Sequence, residues 1–370
     1  MTKNAKIIIG AIIAIIAVGG IWYGAGQKPA PTETAKEPIK IGAILPLTGD
    51  FAFLGEGIRD AILLAKENLK DTQYNYEVIF EDDQSSDLKE VASAANKLIN
   101  IDKVNILISV NSGPGNVVAP IAEQNKIIHF AIGSDKNMAK GDYNFIHWTQ
   151  PSEEIQVFIA ELQKRGIKKL GIFELNQQGA TAMIDELQER LKETDIKIVS
   201  HQNFNFGEKD FRTIIAKAKQ ANAEIYLLGL IFPPELEILA KQIKEAGINI
   251  PITSIESFEL TDQLSLFEGE WYVNAADPTE DFVDKFNKKI GKNPSIGAAN
   301  GYDIFNLIVA ASEKKESSIK PATNIIASEL KKIKDFNGAL GNLSVDEEGI
   351  VISQAVVRMI KDGKPITIDD

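Results

Sequence analysis

Residues 39–57, IKIGAILPLTGDFAFLGEG, set the reading of the whole chain. Positions 39–45 are a short apolar run closed by Pro46, with a turn signal at Thr48-Gly49. From residue 55 the apolar period changes: Ile58, Ile62, Ala65 and Leu69 fall on one face, which predicts a helix over 55–70. A buried strand, a polar turn and an amphipathic helix form the first unit of a layered α/β structure.

The alternation continues along the chain. Strands are expected at 76–80, 105–110, 127–132, 168–174, 196–200, 224–229 and 251–254, and helices at 87–100, 115–124, 153–165, 179–193, 209–221 and 234–246. Apolar strands of this kind belong to parallel sheets covered on both faces. So many units exceed one open sheet, so two doubly wound parallel-sheet lobes are expected. Thr149-Gln150-Pro151 and Ala275-Ala276-Asp277-Pro278 read as crossings between them, and the sequence shows no internal repeat.

Composition narrows the function. With 44% hydrophobic and 25% charged residues among 370, the chain has the makings of a real core. Its net charge of −12 and lack of a basic stripe argue against nucleic acid, whose phosphates need clustered Lys and Arg. There is no cysteine, which excludes disulfides, thiolate metal sites, cysteine nucleophiles and a lipid-bearing cysteine.

The N-terminus indicates export. Lys3 and Lys6 precede an uncharged stretch over 7–26 that ends near Trp22-Tyr23. Its length approaches the roughly 20 residues that span a bilayer, while Gly24-Ala25-Gly26 offers a small-residue cleavage site. Residues 1–26 therefore read as a signal peptide or a membrane anchor, with everything after them extracytoplasmic. The proline-rich segment 27–38, QKPAPTETAKEP, reads as a linker.

In open parallel sheets, ligands sit beyond the carboxyl ends of the strands. That points to 46–55, 111–116, 131–137, 174–179, 229–235 and 254–258. Gly55-Glu56-Gly57 lacks the third glycine of a dinucleotide fingerprint, with Asp60 in its place. Ser112-Gly113-Pro114-Gly115 lacks the Gly-Lys-Ser/Thr of a phosphate loop. What remains there is a hydroxyl at a helix start, readable as an anion-attracting group or as a plain N-cap. Glu81-Asp82-Asp83 lacks calcium-loop spacing, and His129, His147 and His201 are scattered. Spacing assembles no catalytic group, metal site or cofactor site, so a non-catalytic binding protein is expected.

Several segments together resemble the type I periplasmic binding protein family, in its branch for branched-chain amino acids, amides and related compounds. They are the opening 39–57, FEDD, APIAEQN at 119–125, HWTQPSEE at 147–154, KDFRTIIAKAK at 209–219 and EILAKQIKEAGI at 237–248. NPSIGAANGYDIFNLI at 293–308, FNGALGNLSVDEEG at 336–349 and VVRMIKDGK at 356–364 complete the set. The resemblance implies two discontinuous lobes, 39–150 with 277–338 and 151–276 with 339–370, that close on a small molecule about a three-strand hinge. It also implies delivery to an ABC importer permease, with the input subunit of a sensory system as the alternative.

Residue by residue, the resemblance places Ser112 at a ligand carboxylate, Gly133 at backbone contacts and Glu256 at a ligand ammonium. Leu54, Gln178 and Leu230 stand where tyrosines often enclose the ligand, and Asp135 where threonine or serine is common. Two carboxylates facing one small site repel unless a cation or donor array separates them. Glu256 and Asp135 therefore predict a zwitterion, amide or amine-bearing ligand.

Overall fold

The computed structural model describes residues 37–314 and 319–368, so the N-terminal hydrophobic segment and most of the linker lie outside the described residues. Among the described residues no helix is long and apolar enough to cross a membrane.

The first sheet contains β1 (Ile39–Leu45), β2 (Tyr76–Asp82), β3 (Ile106–Val110), β4 (Ile128–Ile132) and β5 (Asn144–Ile146). They lie in the order β2-β1-β3-β4-β5, every pair parallel. β3 and β4 are buried along their whole length because helices cover both faces. Ile39, Ile41 and Ala43 face one core, shared with Ile58 and Ile62 of the helix Ala52–Glu67 and with Ile304 and Ile308 of the helix Ala298–Ser312. Ile44 and Leu107 face the other, shared with Val91, Ala95 and Val118. This is the period-two pattern of a strand whose two sides are both buried.

The second sheet repeats the plan. Its strands β6 (Lys169–Leu175), β7 (Lys197–Phe204), β8 (Ile225–Gly229), β9 (Ile252–Ile255) and β10 (Trp271–Ala275) run β7-β6-β8-β9-β10. The strand order is that of the first sheet, although the sequence carries no repeat.

A small three-stranded sheet follows, of β11 (Phe336–Gly338), β12 (Gly341–Val345) and β13 (Val351–Ile352). Then β14 (Ala355–Lys361) and β15 (Lys364–Thr367) extend the second sheet from β10. Both of these pair antiparallel, which departs from the all-parallel expectation. For β15 the reason is local: Asp362 (φ 53°) and Gly363 (φ 67°) form a two-residue hairpin that returns the chain antiparallel to β14, whereas β14 meets β10 antiparallel as the chain comes back from the first lobe.

Residues 339–352, expected with the second lobe, instead give Leu343, Val345 and Val351 to the core of the first. The chain then passes to the second sheet near Ser353, whose hydroxyl bonds that of Thr149 at 3.0 Å. Ala276 N–H donates to the carbonyl of Gln354 at 2.9 Å, so the three crossings lie side by side. Arg358 pins them, ion-paired with Glu259 at 2.8 Å and with Asp277.

Candidate functional site

Both sheets aim their carboxyl ends at one space. A cavity of about 50 Å³ is lined from the first lobe by Leu54, Asn111, Ser112 and Gly133, and from the second by Gln177, Gly179, Leu230 and Glu256. Ile58, Val110, Ile132 and Ile296 add apolar wall, and Trp148 comes from a crossing segment. Trp148, Leu260, Ile296 and Gly297 also line an outer cleft of about 790 Å³, so the cavity opens outward through it.

Strand order explains the place. In each sheet the order reverses beside its first strand, between β1 and β3 and between β6 and β8, and crevices form at such switch points. The backbone turns sharply there: Asn111 (φ 70°), Leu230 (φ 45°) and Glu256 (φ 65°) all lie in the left-handed region. Holding such non-glycine residues costs on the order of 1–3 kcal/mol each, strain typical of ligand clamps.

Ser112 opens the helix Ser112–Asn125 and is buried. Its Oγ accepts from the N–H groups of Ser134 (3.1 Å) and Asp135 (3.2 Å), which leaves its own hydrogen to donate. Gly133 permits this approach, because a Cβ there would meet Ser112 N at 3.0 Å. Gly179 does the same across the cavity: its Cβ would lie 3.2 Å from Ser112 Oγ.

Glu256 is 3% exposed and the one charged residue among those lining the cavity. Its Oε1 accepts from the Trp148 indole N–H at 2.6 Å, and its backbone N–H bonds Val273 O at 2.9 Å. Burial pushes its carboxyl up to about 7, while the indole and Glu154 pull the other way. Glu154, on the helix Pro151–Lys164, is wholly buried, and neither of its oxygens has a hydrogen-bond partner of good geometry. Burial first, then the negative charge of Glu256, push the Glu154 carboxyl well above the ordinary range.

Of the positions singled out in the sequence, Leu54, Ser112, Gly133, Leu230 and Glu256 meet in this cavity and two do not. Asp135 turns away: it caps the short helix Lys136–Ala139, accepting from Asn137 N (2.9 Å), Asn137 Nδ2 (2.8 Å) and Asn116 Nδ2 (2.7 Å). The second acid beside Glu256 is Glu154, not Asp135. Gln178 is exposed and accepts from Asn116 Nδ2 at 2.7 Å, a bridge between lobes. Its neighbour Gln177 lines the cavity instead, with a buried Nε2 that has no partner. The strand ends at Leu175 and the helix begins at Gln178, one residue before the expected start, which explains the slip.

The lobes are closed in this structure. Phe51 and Leu54 of the first lobe pack into the core of the second. The Phe51 ring lies 5.0 Å from Phe232 and 5.9 Å from Phe206, centroid to centroid. Asp82 holds the loop before Phe51, accepting from Leu47 N (2.9 Å) and Thr48 Oγ1 (2.6 Å), so the acidic strand end is a loop clamp. Among the described residues no cluster of acidic and histidine side chains has metal-binding geometry. No histidine lines the cavity; His201, for instance, pairs with Glu174 at 2.6 Å.

Comparison with known proteins agrees with this architecture. The family model for periplasmic binding proteins matches residues 38–364, so the chain belongs to that family. It is 24% identical over 364 residues to a leucine-, isoleucine-, valine-, threonine- and alanine-binding protein of Pseudomonas aeruginosa, with 92% of each chain covered. Among solved structures, it resembles a branched-chain amino acid transporter substrate-binding protein of Streptococcus pneumoniae in complex with isoleucine. That match has a TM-score of 0.77 at 22% identity, covering 90% of this chain and 100% of the other. It equally resembles a solute-binding protein of Rhodopseudomonas palustris in complex with 3,4-dihydroxybenzoic acid, with a TM-score of 0.79 at 21% identity, covering 90% and 96%. One fold thus serves an amino acid and an aromatic acid. The chain is a solute-binding protein, and its family binds without catalysing.

Proposed function

Given that membership, we propose that the chain captures a small amino-acid-like, amide or amine-bearing solute between its lobes and delivers it to an ABC importer permease. The single observation that supports this most is the cavity's polar set: one carboxylate, Glu256, with the Ser112 hydroxyl and the Gln177 amide as donors, inside apolar walls. Those donors suit a carboxylate or carbonyl end, and the carboxylate suits an ammonium or N–H-rich end. An aromatic acid without a cationic group would set its charge against Glu256. Residues 7–26 tether the lobes outside the cytoplasm in this reading, in keeping with the extracytoplasmic setting of the family.

The test is a thermal-shift screen of amino acids, amides, amines, aromatic acids and sugars. A solute that binds the folded state tightly raises its stability, by about 2.7 kcal/mol at a hundred times Kd. The account expects shifts from zwitterions, amides or amines. Shifts from sugars or from purely anionic acids alone would reject it.

A further inference from the structure

Behind Glu256 lies a second carboxyl that nothing in a simple ligand cavity requires. Glu154 projects from the helix Pro151–Lys164, has no exposed surface, and among the described residues its oxygens meet no partner but the Glu256 carboxyl. An isolated buried carboxylate is costly, and such a group keeps its proton instead. We propose that Glu154 is a positioning residue of the site: a buried neutral acid whose proton lets Glu256 hold the cavity's single negative charge, so that capture of a cationic group is coupled to loss of a proton from the pair.

The surroundings support the assignment. The groups that face Glu256 are the Trp148 indole N–H from the crossing and Glu154 from the helix, and the first-lobe residues around the cavity are uncharged. On the helix of Glu154, Glu161 is occupied by Arg165 at 2.7 Å. On the neighbouring helix Gln178–Leu191, Glu186 is occupied by Arg190 at 2.6 Å. Arg358 on β14 is held by Glu259 and Asp277. Neither Glu154 nor Glu256 forms an ion pair among the described residues, so the proton is what stands between their two charges.

The linkage has a definite sign. Burial pushes the Glu256 carboxyl up to about 7, so below that pH it is largely a neutral acid. A ligand ammonium beside it favours the carboxylate, and the displaced proton leaves to solvent while Glu154 keeps its own. Affinity therefore rises with pH through 7 and levels off above it. Between pH 8 and pH 6 it falls about tenfold.

The proposal rests on the solute-binding reading, but its first test needs no solute. Infrared spectra of the intact ligand-free protein at pH 8 should show the carbonyl stretch of a protonated carboxylic acid, and Glu154→Gln should remove it. Identical carbonyl regions in the two proteins would mean that Glu154 is ionised, and would overturn the proposal. The second test is calorimetry with L-isoleucine in two buffers of different protonation heat. Nearly one proton should be released per site at pH 6 and nearly none at pH 8. Glu154→Gln, a neutral replacement that can still donate to Glu256, should bind within about threefold of the parent at pH 8. Glu154→Leu, which cannot donate, should move the pH midpoint upward. A midpoint unmoved by Glu154→Leu, or no proton release at pH 6, contradicts the coupling. If L-isoleucine does not bind while the carbonyl band behaves as expected, the choice of solute fails and the neutral acid stands.

Discussion

The two lobes share a strand order, yet they present different chemistry to the cavity between them. The first offers groups already satisfied within the protein: Ser112 Oγ accepts two backbone N–H groups, and Asn111 donates to Ser86 at 3.0 Å. The second offers groups left wanting among the described residues: the Gln177 amide nitrogen has no partner, and the Glu256 carboxyl, raised by burial, has the Trp148 indole on one oxygen and no cation beside it. Buried polar atoms without partners are rare in folded proteins, and each requires a reason. Here the reason is shared: the first lobe is a preformed half-site, and the second is a half-site completed by ligand. Folding alone accounts for the first arrangement. Only binding accounts for the second.

The contrast is open to measurement on both sides. The largest effect is expected at the charged side. Glu256→Gln should weaken solute binding roughly ten- to a hundred-fold, since a hydrogen bond to a charged group contributes about 1.5–3 kcal/mol. Calorimetry reads the loss, and the melting temperature should not fall, because a buried carboxyl becomes a neutral amide. Unchanged affinity would remove Glu256 from the site.

Ser112→Ala acts on the satisfied side and should lower affinity about tenfold. Unlike Glu256→Gln, it should also destabilise the protein by about 1 kcal/mol, because Ser134 N–H and Asp135 N–H lose their acceptor. A thermal melt beside the titration separates the two losses. Lost affinity with an unaltered melt would contradict the preformed first half-site.

Phe232→Ala tests the contact between the lobes. Aromatic pairs of this kind contribute about 0.5–1.5 kcal/mol beyond their burial, so the closed state should weaken and affinity fall a few-fold. Solution scattering of the ligand-free variant should show a larger radius of gyration than the parent. An equal radius would show that the Phe51–Phe232 contact does not hold the lobes together.

The smallest effect belongs to Asp135→Asn. Its carboxylate caps a short helix outside the cavity, so affinity should change less than twofold. A tenfold loss would restore Asp135 to the site and displace Glu154 from the account.

These pairs also show what the sequence makes legible. Strand–helix alternation is clear up to Ile255, because fully buried strands flanked by amphipathic helices leave two distinct periods. Beyond it β14 returns from the first lobe to pair antiparallel with β10, and β15 is turned back by a two-residue Asp-Gly hairpin, neither of which hydrophobic pattern records. The rule for sheet switch points found the segments carrying Ser112, Gly133, Leu230 and Glu256. It missed Trp148 and Glu154, which belong to a crossing and to the helix after it. Glu153 and Glu154 stand side by side in the first turn of that helix, where the sequence gives them the same standing. Only their burial separates them, since Glu153 is exposed and Glu154 is not. Asp135 was the reverse case: a carboxylate in a cleft-facing segment whose side chain satisfies neighbouring backbone instead.

The account turns on one solute touching both lobes at once. The direct measurement is a crystal structure of the protein with the solute that gives the largest thermal shift. It should show the ligand in the inner cavity, accepting from Ser112 Oγ and Gln177 Nε2 and donating to the Glu256 carboxylate. A ligand seated on one lobe alone, or in the outer cleft beside Arg358, would contradict it.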